Sequence, residues 1–422
     1  MKAGFYTIIA AQFFSSLADN ALFIAAIALL RDMQEPSWMT PALKQSFVLS
    51  YVLLAPVVGA FADSMPKGRV MLYTNGVKVL GCLLMLMLLH PLAAYAVVGL
   101  GAAAYSPAKY GILTELLPPH QLVVANGWIE GATVASIILG VLLGGALISG
   151  HVSPMLLRFD LPGIETGIDT GAEAAISVIV LVYAIAAVFN LYIPDTGVDH
   201  RVPSKNPIYL MREFAHCVGL LWRDKLGQIS LATTTLFWGA GATLQVLLFD
   251  WAATSLGMDL SQSSMLQGVV AVGIALGAVL AAKFVTLRRS VKVLPIGVTM
   301  GFIVMTMVLA TQVPTAVILM IAIGACGGFF VVPMNALLQH RGHVLMGAGH
   351  SIAVQNFNEN IGILLMVGLY ALLTRVGVSV NTVILLFGAS VSGIMLLVML
   401  RHRINQAQSD SLHLIGEGKR DH

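Results

Sequence analysis

The sequence predicts an all-α integral membrane protein with twelve transmembrane helices. Of its 422 residues, 58% are hydrophobic and only 10% are charged, whereas a soluble domain usually has about 25% charged residues. In lipid, only helices and closed barrels satisfy all of their backbone hydrogen bonds. A barrel would show short alternating segments, but the apolar runs here are continuous over about 20 residues. These runs therefore predict helices.

Charged residues, prolines and glycines bound the twelve apolar runs and so define the predicted spans. The first run has no small-residue cleavage site after it, and we expect it to be retained as a span rather than removed as a signal peptide. The predicted spans are approximately residues 5–30, 45–62, 70–89, 92–113, 121–148, 174–193, 229–250, 262–282, 292–311, 314–337, 347–373 and 379–400.

Lysine and arginine are distributed unevenly between the two sides of the membrane. If the chain has twelve spans, seventeen lysines and arginines fall on the side that holds both termini and four on the opposite side. Because loops rich in these residues stay in the cytoplasm, both termini are predicted to be cytoplasmic.

The longest loop on the basic side, residues 194–228, is predicted to be a cytoplasmic linker between two six-helix bundles. The bundles would comprise residues 1–193 and 229–400, followed by a cytoplasmic tail at 401–422. A weak internal repeat, in which Gly101 to Pro107 matches Gly327 to Pro333, supports two similar halves. Such halves indicate a transporter with a midplane site between them.

Several other classes of function find little support. The net charge of +3 is small and scattered, which argues against a nucleic-acid partner. The cysteines are far apart and show no ligand spacing, so we expect no metal and no cofactor. A membrane enzyme would need a nucleophile and a base, and the chain shows no such pattern. Three histidines are expected to lie in a wet loop: His340, His343 and His350.

Ionisable residues inside the hydrocarbon are costly and usually functional. In span one, Gln12, Ser16 and Asp19 share a helical face, and Asn20 adjoins them. Asp19 is predicted to be a cavity acid that meets a cationic group or a proton, the alternative being an ion pair between helices.

Spans four and five carry Lys109 and Glu130. Lys109 follows Pro107 in the cytoplasmic third of its span and could hold an anionic headgroup, pair with Glu130 or reach the interface. Glu130 shares a face with Asn126 and Thr133, and substrate contact and a structural pair remain equally open for it.

Span eleven is the most polar, because five of the six residues from Gln355 to Asn360 are amides or acids. Gln355 and Glu359 share one face, Asn356 and Asn360 another, and at least one of them is predicted to contact a ligand. The assignment to a site is weaker for four further residues within the predicted spans: Lys78, Gln245, Asp250 and Asn335. Lys78 could pair with a neighbouring acid.

The loop after span two, Gly59 to Arg69, reads GAFADSMPKGR. It resembles the signature loop of the major facilitator superfamily, in which an acid follows a glycine and precedes basic residues. We expect Asp63 to pair with basic residues such as Lys67 and Arg69 as a cytoplasmic latch that holds in one transport state. The second-half copy is degraded, since Lys283 stands where an acid is expected.

A closer resemblance is to the bacterial lysophospholipid transporters. Five stretches carry it: Ala18 to Leu22, Gly101 to Gly111, Phe237 to Gly241, Gly327 to Gln339 and Ala353 to Asn356. It implies the major facilitator fold and a flippase that moves lysophospholipid, chiefly lysophosphatidylethanolamine, from the outer to the inner leaflet of the bacterial inner membrane. A cytoplasmic acyltransferase/acyl-carrier-protein synthetase would then restore the diacyl lipid.

The resemblance also implies residue roles. Asp19 would bind the ethanolamine ammonium and Lys109 the phosphate, whereas the family has an arginine in span seven where this chain has Gln245. The protein would act as a monomer in contact with membrane lipids, and without a His-x-x-x-x-Asp motif it would acylate nothing itself. The headgroup cavity is predicted to be lined by Asp19, Asn20, Lys109, Glu130, Asn335, Gln355, Asn356 and Glu359.

One alternative keeps the fold but changes the cargo to small drugs or metabolites. In such a proton-coupled exporter, protons would be carried by Asp19, Glu130 and Glu359.

Overall fold

The computed structural model describes residues 3–35, 39–87, 89–158, 168–198, 206–258, 260–411 and 415, and in these ranges every regular element is helical. The α-helices, in chain order, are α1 (Ala3–Asp32), α2 (Met39–Asp63), α3 (Lys67–Leu86), α4 (Pro91–Leu116), α5 (Leu122–Leu147), α6 (Ser153–Leu157), α7 (Gly171–Leu191), α8 (Pro207–Arg223), α9 (Gly227–Leu256), α10 (Leu260–Phe284), α11 (Leu294–Thr306), α12 (Val313–Met346), α13 (Ala348–Arg375) and α14 (Val380–Gln408).

The described helices confirm the all-α membrane class. Eleven of them are long and apolar enough to cross a bilayer, the one around α11 being extended by 3₁₀ turns to Leu287–Leu309. The helix α4 is not in that group, but its 26 residues give a length of about 39 Å, which exceeds a hydrocarbon core of about 30 Å. The short α6 and the linker helix α8 lie outside the predicted spans.

The chain packs as two compact units. Unit 1 comprises Met1–Ile112 and Ala135–Met211, and unit 2 comprises Leu113–Val134 and Arg212–His422. Unit 2 therefore includes the end of α4 and the beginning of α5. The bundle limits predicted from the sequence remain a prediction.

Glycines bring the helices of unit 1 into close contact. A Cβ at Gly140 of α5 would lie 2.6 Å from the Leu17 carbonyl oxygen of α1. A Cβ at Gly101 of α4 would lie 2.8 Å from both Lys78 Cγ and the Thr74 carbonyl oxygen of α3. In lipid, where apolar burial does not drive helices together, small residues allow the backbone approach that van der Waals packing needs. Gly101 thereby gives the long Lys78 side chain room beside α4.

In unit 2 the backbones of α10 and α12 approach closely, and glycines four residues apart form this contact on both helices. A Cβ at Gly277 would lie 2.1 Å from the Ala325 carbonyl oxygen, and one at Gly324 would lie 2.2 Å from the Val270 carbonyl oxygen. Any side chain at these positions would force the two backbones apart.

The expectation that His340, His343 and His350 lie in a wet loop is wrong. The helix α12 continues to Met346, α13 begins at Ala348, and the single residue between them, Gly347, has a positive φ of 92°. A backbone angle of this sign suits glycine, so the chain reverses without a loop. All three histidines are helical, and His340 is buried.

A buried ion pair holds this end of α12. The Arg341 guanidinium donates from Nε to Asp224 Oδ1 at 3.1 Å and from Nη2 to Asp224 Oδ2 at 2.7 Å. Asp224 Oδ1 also accepts from the backbone N–H of Gly227 at the start of α9, at 2.7 Å. A bidentate arginine–carboxylate pair fixes both the distance and the orientation of its two side chains. This contact therefore positions the start of α9 relative to α12.

The Gly277→Ala variant tests the packing of α10 on α12. The added methyl group meets backbone atoms that cannot move aside, and overpacking of this kind costs about 1–3 kcal/mol. We expect a lower melting temperature for the purified protein. Gly268→Ala on the same helix is the matched control, since its Cβ would meet no atom within 4 Å. Equal melting temperatures of the two variants would contradict the packing argument.

Candidate functional site

The centre of unit 1 holds an ion pair between α1 and α3. Lys78 Nζ donates to Asp19 Oδ2 at 2.8 Å and to Ser15 Oγ at 3.0 Å. The Lys78 side chain is only 1% exposed, whereas that of Asp19 is 21% exposed. Asp19 was predicted to be a cavity acid or half of an ion pair, and the structure shows the pair with Lys78.

Neighbouring side chains complete this cluster. The Tyr183 hydroxyl of α7 donates to Asp19 Oδ1 at 2.6 Å, and Ser15 Oγ donates to Asn75 Oδ1 at 2.8 Å. The Lys78 ammonium lies 4.7 Å from the centre of the Tyr105 ring of α4, a distance typical of cation–π contact. The helices α1, α3, α4 and α7 thus each contribute one or more groups.

Lys78 and Asp19 differ in how many further hydrogen bonds they can make. An ammonium has three donors, and Lys78 directs two to Asp19 and Ser15 while facing the Tyr105 ring. A carboxylate can accept about four hydrogen bonds, and Asp19 accepts one at each oxygen from the partners above. The partly exposed carboxylate can therefore still receive a cationic N–H group, whereas Lys78 would first have to exchange a partner.

The sequence prediction left Lys78 out of the binding set and missed Asn75, Tyr105 and Tyr183. A signal for two of them was present, because Asn75 and Lys78 are three residues apart and share a face of span three. Tyr105 and Tyr183 had no such signal, since aromatic residues are common on every face of a membrane helix.

Two other predicted residues of unit 1 lie near this cluster along their helices. Asn20 follows Asp19, and its side-chain amide donates to the Ser16 carbonyl oxygen at 2.8 Å. Lys109 is one turn beyond Tyr105 on α4, a step of about 6 Å along the axis, and its ammonium lies 4.2 Å from the Tyr110 ring centre. The side chain of Glu130 lies outside the described residues.

Unit 2 has a second polar cluster, which joins α12 and α13. The Gln355 amide nitrogen donates to Asn335 Oδ1 at 3.0 Å and to Glu359 Oε1 at 2.8 Å. All three side chains are buried. The Gln355 amide oxygen is buried without a hydrogen-bond partner among the described residues, so it can accept one from a ligand. The structure thus pairs Gln355 with Glu359, which the sequence placed on one face of span eleven, and joins both to Asn335 of α12.

The other predicted residues of unit 2 make local contacts. The Asn360 side chain donates to the Asn356 carbonyl oxygen at 2.8 Å. Gln245 is an exposed residue of α9, and its carbonyl oxygen accepts from the Gln267 side chain of α10 at 2.9 Å. Asp250 accepts from the Tyr370 hydroxyl and so links α9 to α13.

The predicted latch forms an ion pair within its own loop. Lys67 Nζ donates to Asp63 Oδ1 at 2.7 Å and to the Ala62 carbonyl oxygen, also at 2.7 Å. Lys67 is buried and Arg69 is exposed. The Lys67 side chain is thus bound within this loop. The role of the loop as a latch stays a prediction.

Two polar contacts join segment Leu113–Val134 to α12 within unit 2. The side-chain amides of Asn126 and Gln339 donate to each other's oxygen, both at 2.9 Å, and both residues are buried. Thr114 Oγ1 lies 3.3 Å from His343 Nδ1. A hydrogen bond between neutral side chains, such as that between Asn126 and Gln339, is individually modest at about 1 kcal/mol.

The Major Facilitator Superfamily matches residues 8–366 of the chain. The lysophospholipid transporter LplT of Yersinia enterocolitica (serotype O:8 / biotype 1B) is 44% identical over 381 residues, which cover 90% of this chain and 89% of that protein. The protein of the same name from Yersinia pestis (strain Pestoides F) is 45% identical over 377 residues, 89% and 88% of the two chains.

Solved structures support the fold. A bacterial homologue of the iron transporter ferroportin, in an outward-facing state, gives a TM-score of 0.71 at 15% identity and covers 96% of this chain and 100% of its own. The human organic anion transporter MFSD10 (TETRAN) gives 0.70 at 15% identity, with 95% and 100% covered. At this identity the likeness concerns the fold alone.

These findings confirm the predicted family and the prediction of a transporter rather than a membrane enzyme. The chain belongs to the major facilitator superfamily and, within it, to the family of the lysophospholipid transporters LplT.

Proposed function

We propose that this protein is a flippase that moves lysophospholipid, chiefly lysophosphatidylethanolamine, from the outer to the inner leaflet of the bacterial inner membrane. The observation that carries the proposal is the Asp19–Lys78 pair, whose acid is partly exposed while its lysine is buried. A membrane-embedded carboxylate with acceptor capacity left is suited to an ammonium group. The relatives named lysophospholipid transporter support this cargo.

The headgroup would bind by exchange of partners. The ethanolamine ammonium would donate to Asp19 in place of the Lys78 ammonium, and Lys78 or Lys109 would then meet the phosphate. Lys109 lies about 6 Å along α4 from Tyr105, which faces the Lys78 ammonium.

Buried amides would serve the uncharged part of the headgroup. The Asn75 amide nitrogen in unit 1 and the Gln355 amide oxygen in unit 2 are buried without a partner among the described residues. An unpaired buried polar atom is costly. The Asn75 amide nitrogen would donate to a glycerol hydroxyl or an ester oxygen, and the Gln355 amide oxygen would accept from a glycerol hydroxyl. We propose the same kind of contact for Asn20, Gln245, Asn335, Asn356 and Glu359, and leave Glu130 as a predicted site residue.

The proposed topology places the basic loops in the cytoplasm. Both termini would be cytoplasmic, in line with the excess of lysine and arginine on their side. The loop with Asp63, Lys67 and Arg69 would then be the cytoplasmic latch. The protein would act as a monomer, and a cytoplasmic acyltransferase/acyl-carrier-protein synthetase would consume the lysolipid that it delivers.

Asp19→Asn is expected to reduce uptake of labelled lysophosphatidylethanolamine about tenfold or more, because hydrogen bonds to charged groups are worth about 1.5–3 kcal/mol. Uptake would be measured in cells lacking their own transporter, at matched membrane expression. Lysophosphatidylglycerol has no ammonium group, so its uptake should fall less.

The variant Asp19→Lys with Lys78→Asp separates binding from structure. It restores an ion pair between α1 and α3 but exchanges the positions of the positive and the negative charge. We expect it to reach the membrane yet to leave lysophosphatidylethanolamine uptake low. Full uptake by this variant, or equal losses for both lipids in Asp19→Asn, would show that the pair is only structural. No uptake by well-expressed wild type would overturn the flippase and favour the exporter of drugs or metabolites.

Lys109→Ala should reduce uptake of both lysolipids, since both carry the phosphate that Lys109 would contact. Lys283→Ala is a matched control, because Lys283 also lies near a following aromatic ring, 5.4 Å from the centre of Phe284. Initial rates over a range of lysolipid concentrations would be compared at matched expression. Similar rates for the two alanine variants would remove Lys109 from the proposed site.

A further inference from the structure

The linker helix α8 (Pro207–Arg223) carries two apolar stripes on different faces. One stripe is buried and consists of Leu210, Phe214, Cys217 and Leu221. The other lies at 208, 211, 215 and 222, which also share a helical face. In it Ile208 is 69% exposed, Met211 62% and Trp222 42%, and Ala215 is exposed as well.

Two contacts with α13 hold the part of α8 that belongs to unit 2. The Phe214 ring packs edge-on against the Phe357 ring of α13 with centroids 5.3 Å apart. The Trp222 indole N–H donates to Asn358 Oδ1 at 3.2 Å, while the Trp222 side chain stays 42% exposed. Ile208, Met211 and Ala215 are exposed on a face other than that of Phe214.

Exposure of apolar side chains is ordinary on a membrane-spanning helix, but α8 does not span. Its 17 residues give about 26 Å, less than a hydrocarbon core of about 30 Å, and it carries Arg212, Glu213 and Arg223. In a membrane protein, a helix that exposes an apolar face and carries charges on another is suited to lie in the plane of the membrane interface.

The short junction with α9 determines the position of α8 relative to the membrane surface. Only Asp224, Lys225 and Leu226 separate the end of α8 from the start of α9, a helix long and apolar enough to cross the bilayer. The Asp224–Arg341 pair and the Asp224–Gly227 hydrogen bond hold this turn. The helix α8 therefore lies at the membrane surface where α9 enters.

Arginines border the exposed stripe. Arg212 and Arg223 are exposed and lie eleven residues, or about three turns, apart on one face, and His216 shares that face. An arginine guanidinium binds phosphate with two parallel hydrogen bonds. Around the helix, the protein contact, the apolar stripe and the basic row follow one another, which is the order that a lipid interface requires.

From this arrangement we propose that the outer face of α8, formed by Ile208, Met211, Ala215 and Trp222 with Arg212 and Arg223, binds anionic phospholipids of the leaflet at which α9 enters the membrane. The apolar stripe inserts among the upper acyl carbons, and the two arginines contact lipid phosphates. Charge complementarity selects anionic lipids over zwitterionic ones. This surface is separate from the proposed headgroup site and does not depend on the cargo.

The first test measures the melting temperature of the full-length purified protein in detergent with added phosphatidylglycerol or phosphatidylcholine. Phosphatidylglycerol should raise it more in the wild type, and Arg212→Gln with Arg223→Gln should lose most of that rise. The control is Arg288→Gln with Arg289→Gln, two exposed arginines in the 3₁₀ turn before α11. An equal rise in both double variants would overturn the proposal.

A second test locates the face without relying on stability. Cys82, Cys217 and Cys326 are replaced by alanine, and an environment-sensitive dye is attached at Ala215→Cys or, on the basic face, at His216→Cys. In lipid nanodiscs the dye at 215 should emit at shorter wavelength and be quenched more by shallow spin-labelled lipids. Equal quenching of the dye at both positions would contradict a lipid-binding face. So would shielding of the dye at 215 that increases with protein concentration, because this would indicate contact with a second molecule of the protein.

Discussion

The ion pair between Asp19 and Lys78 constrains the rest of unit 1. A lone charge in hydrocarbon is costly, and removing one partner of a buried pair typically costs about 3–5 kcal/mol. The helices α1 and α3 must therefore keep these two side chains in register. Tyr183 fixes α7 to the same carboxylate, and the absence of a side chain at Gly101 lets α4 pass beside Lys78. One neutral pair thus sets the rotation of four helices.

The polar cluster that joins α12 and α13 in unit 2 consists mostly of uncharged groups, although the sequence repeat suggests two similar halves and unit 2 also contains the Arg341–Asp224 ion pair. Both repeat segments do lie inside helices that contain a proline, Pro107 in α4 and Pro333 in α12. Yet the polar cluster of unit 2 has two amides and one acid, and amides also join Asn126 to Gln339. Neutral hydrogen bonds lose less than a buried ion pair when a partner leaves, so these contacts are easier to exchange.

The sequence predicted the helices better than their contacts. Apolar runs reveal a span because lipid requires about 20 apolar residues, but they do not fix the rotation of each helix, which decides that Lys78 meets Asp19. His340 and His343 were misplaced because α12, with 34 residues, extends beyond its apolar run, and His350 because α13 begins directly after Gly347. Such a polar extension resembles a loop unless the turn at Gly347 is known. The acid–lysine pair itself was among the alternatives for Asp19.

The chemistry of the pair also bears on how the proposed transport is driven. Phosphatidylethanolamine-type headgroups carry one ammonium and one phosphate, so they are neutral overall, as is the Asp19–Lys78 pair. If the ammonium replaces Lys78 at Asp19 while the phosphate meets the displaced Lys78, every charge keeps a partner. No net charge enters the hydrocarbon, and the exchange avoids the large cost of an unpaired ion. The proposed mechanism therefore requires no co-transported ion, and consumption of lysolipid on the inner side is sufficient to drive it.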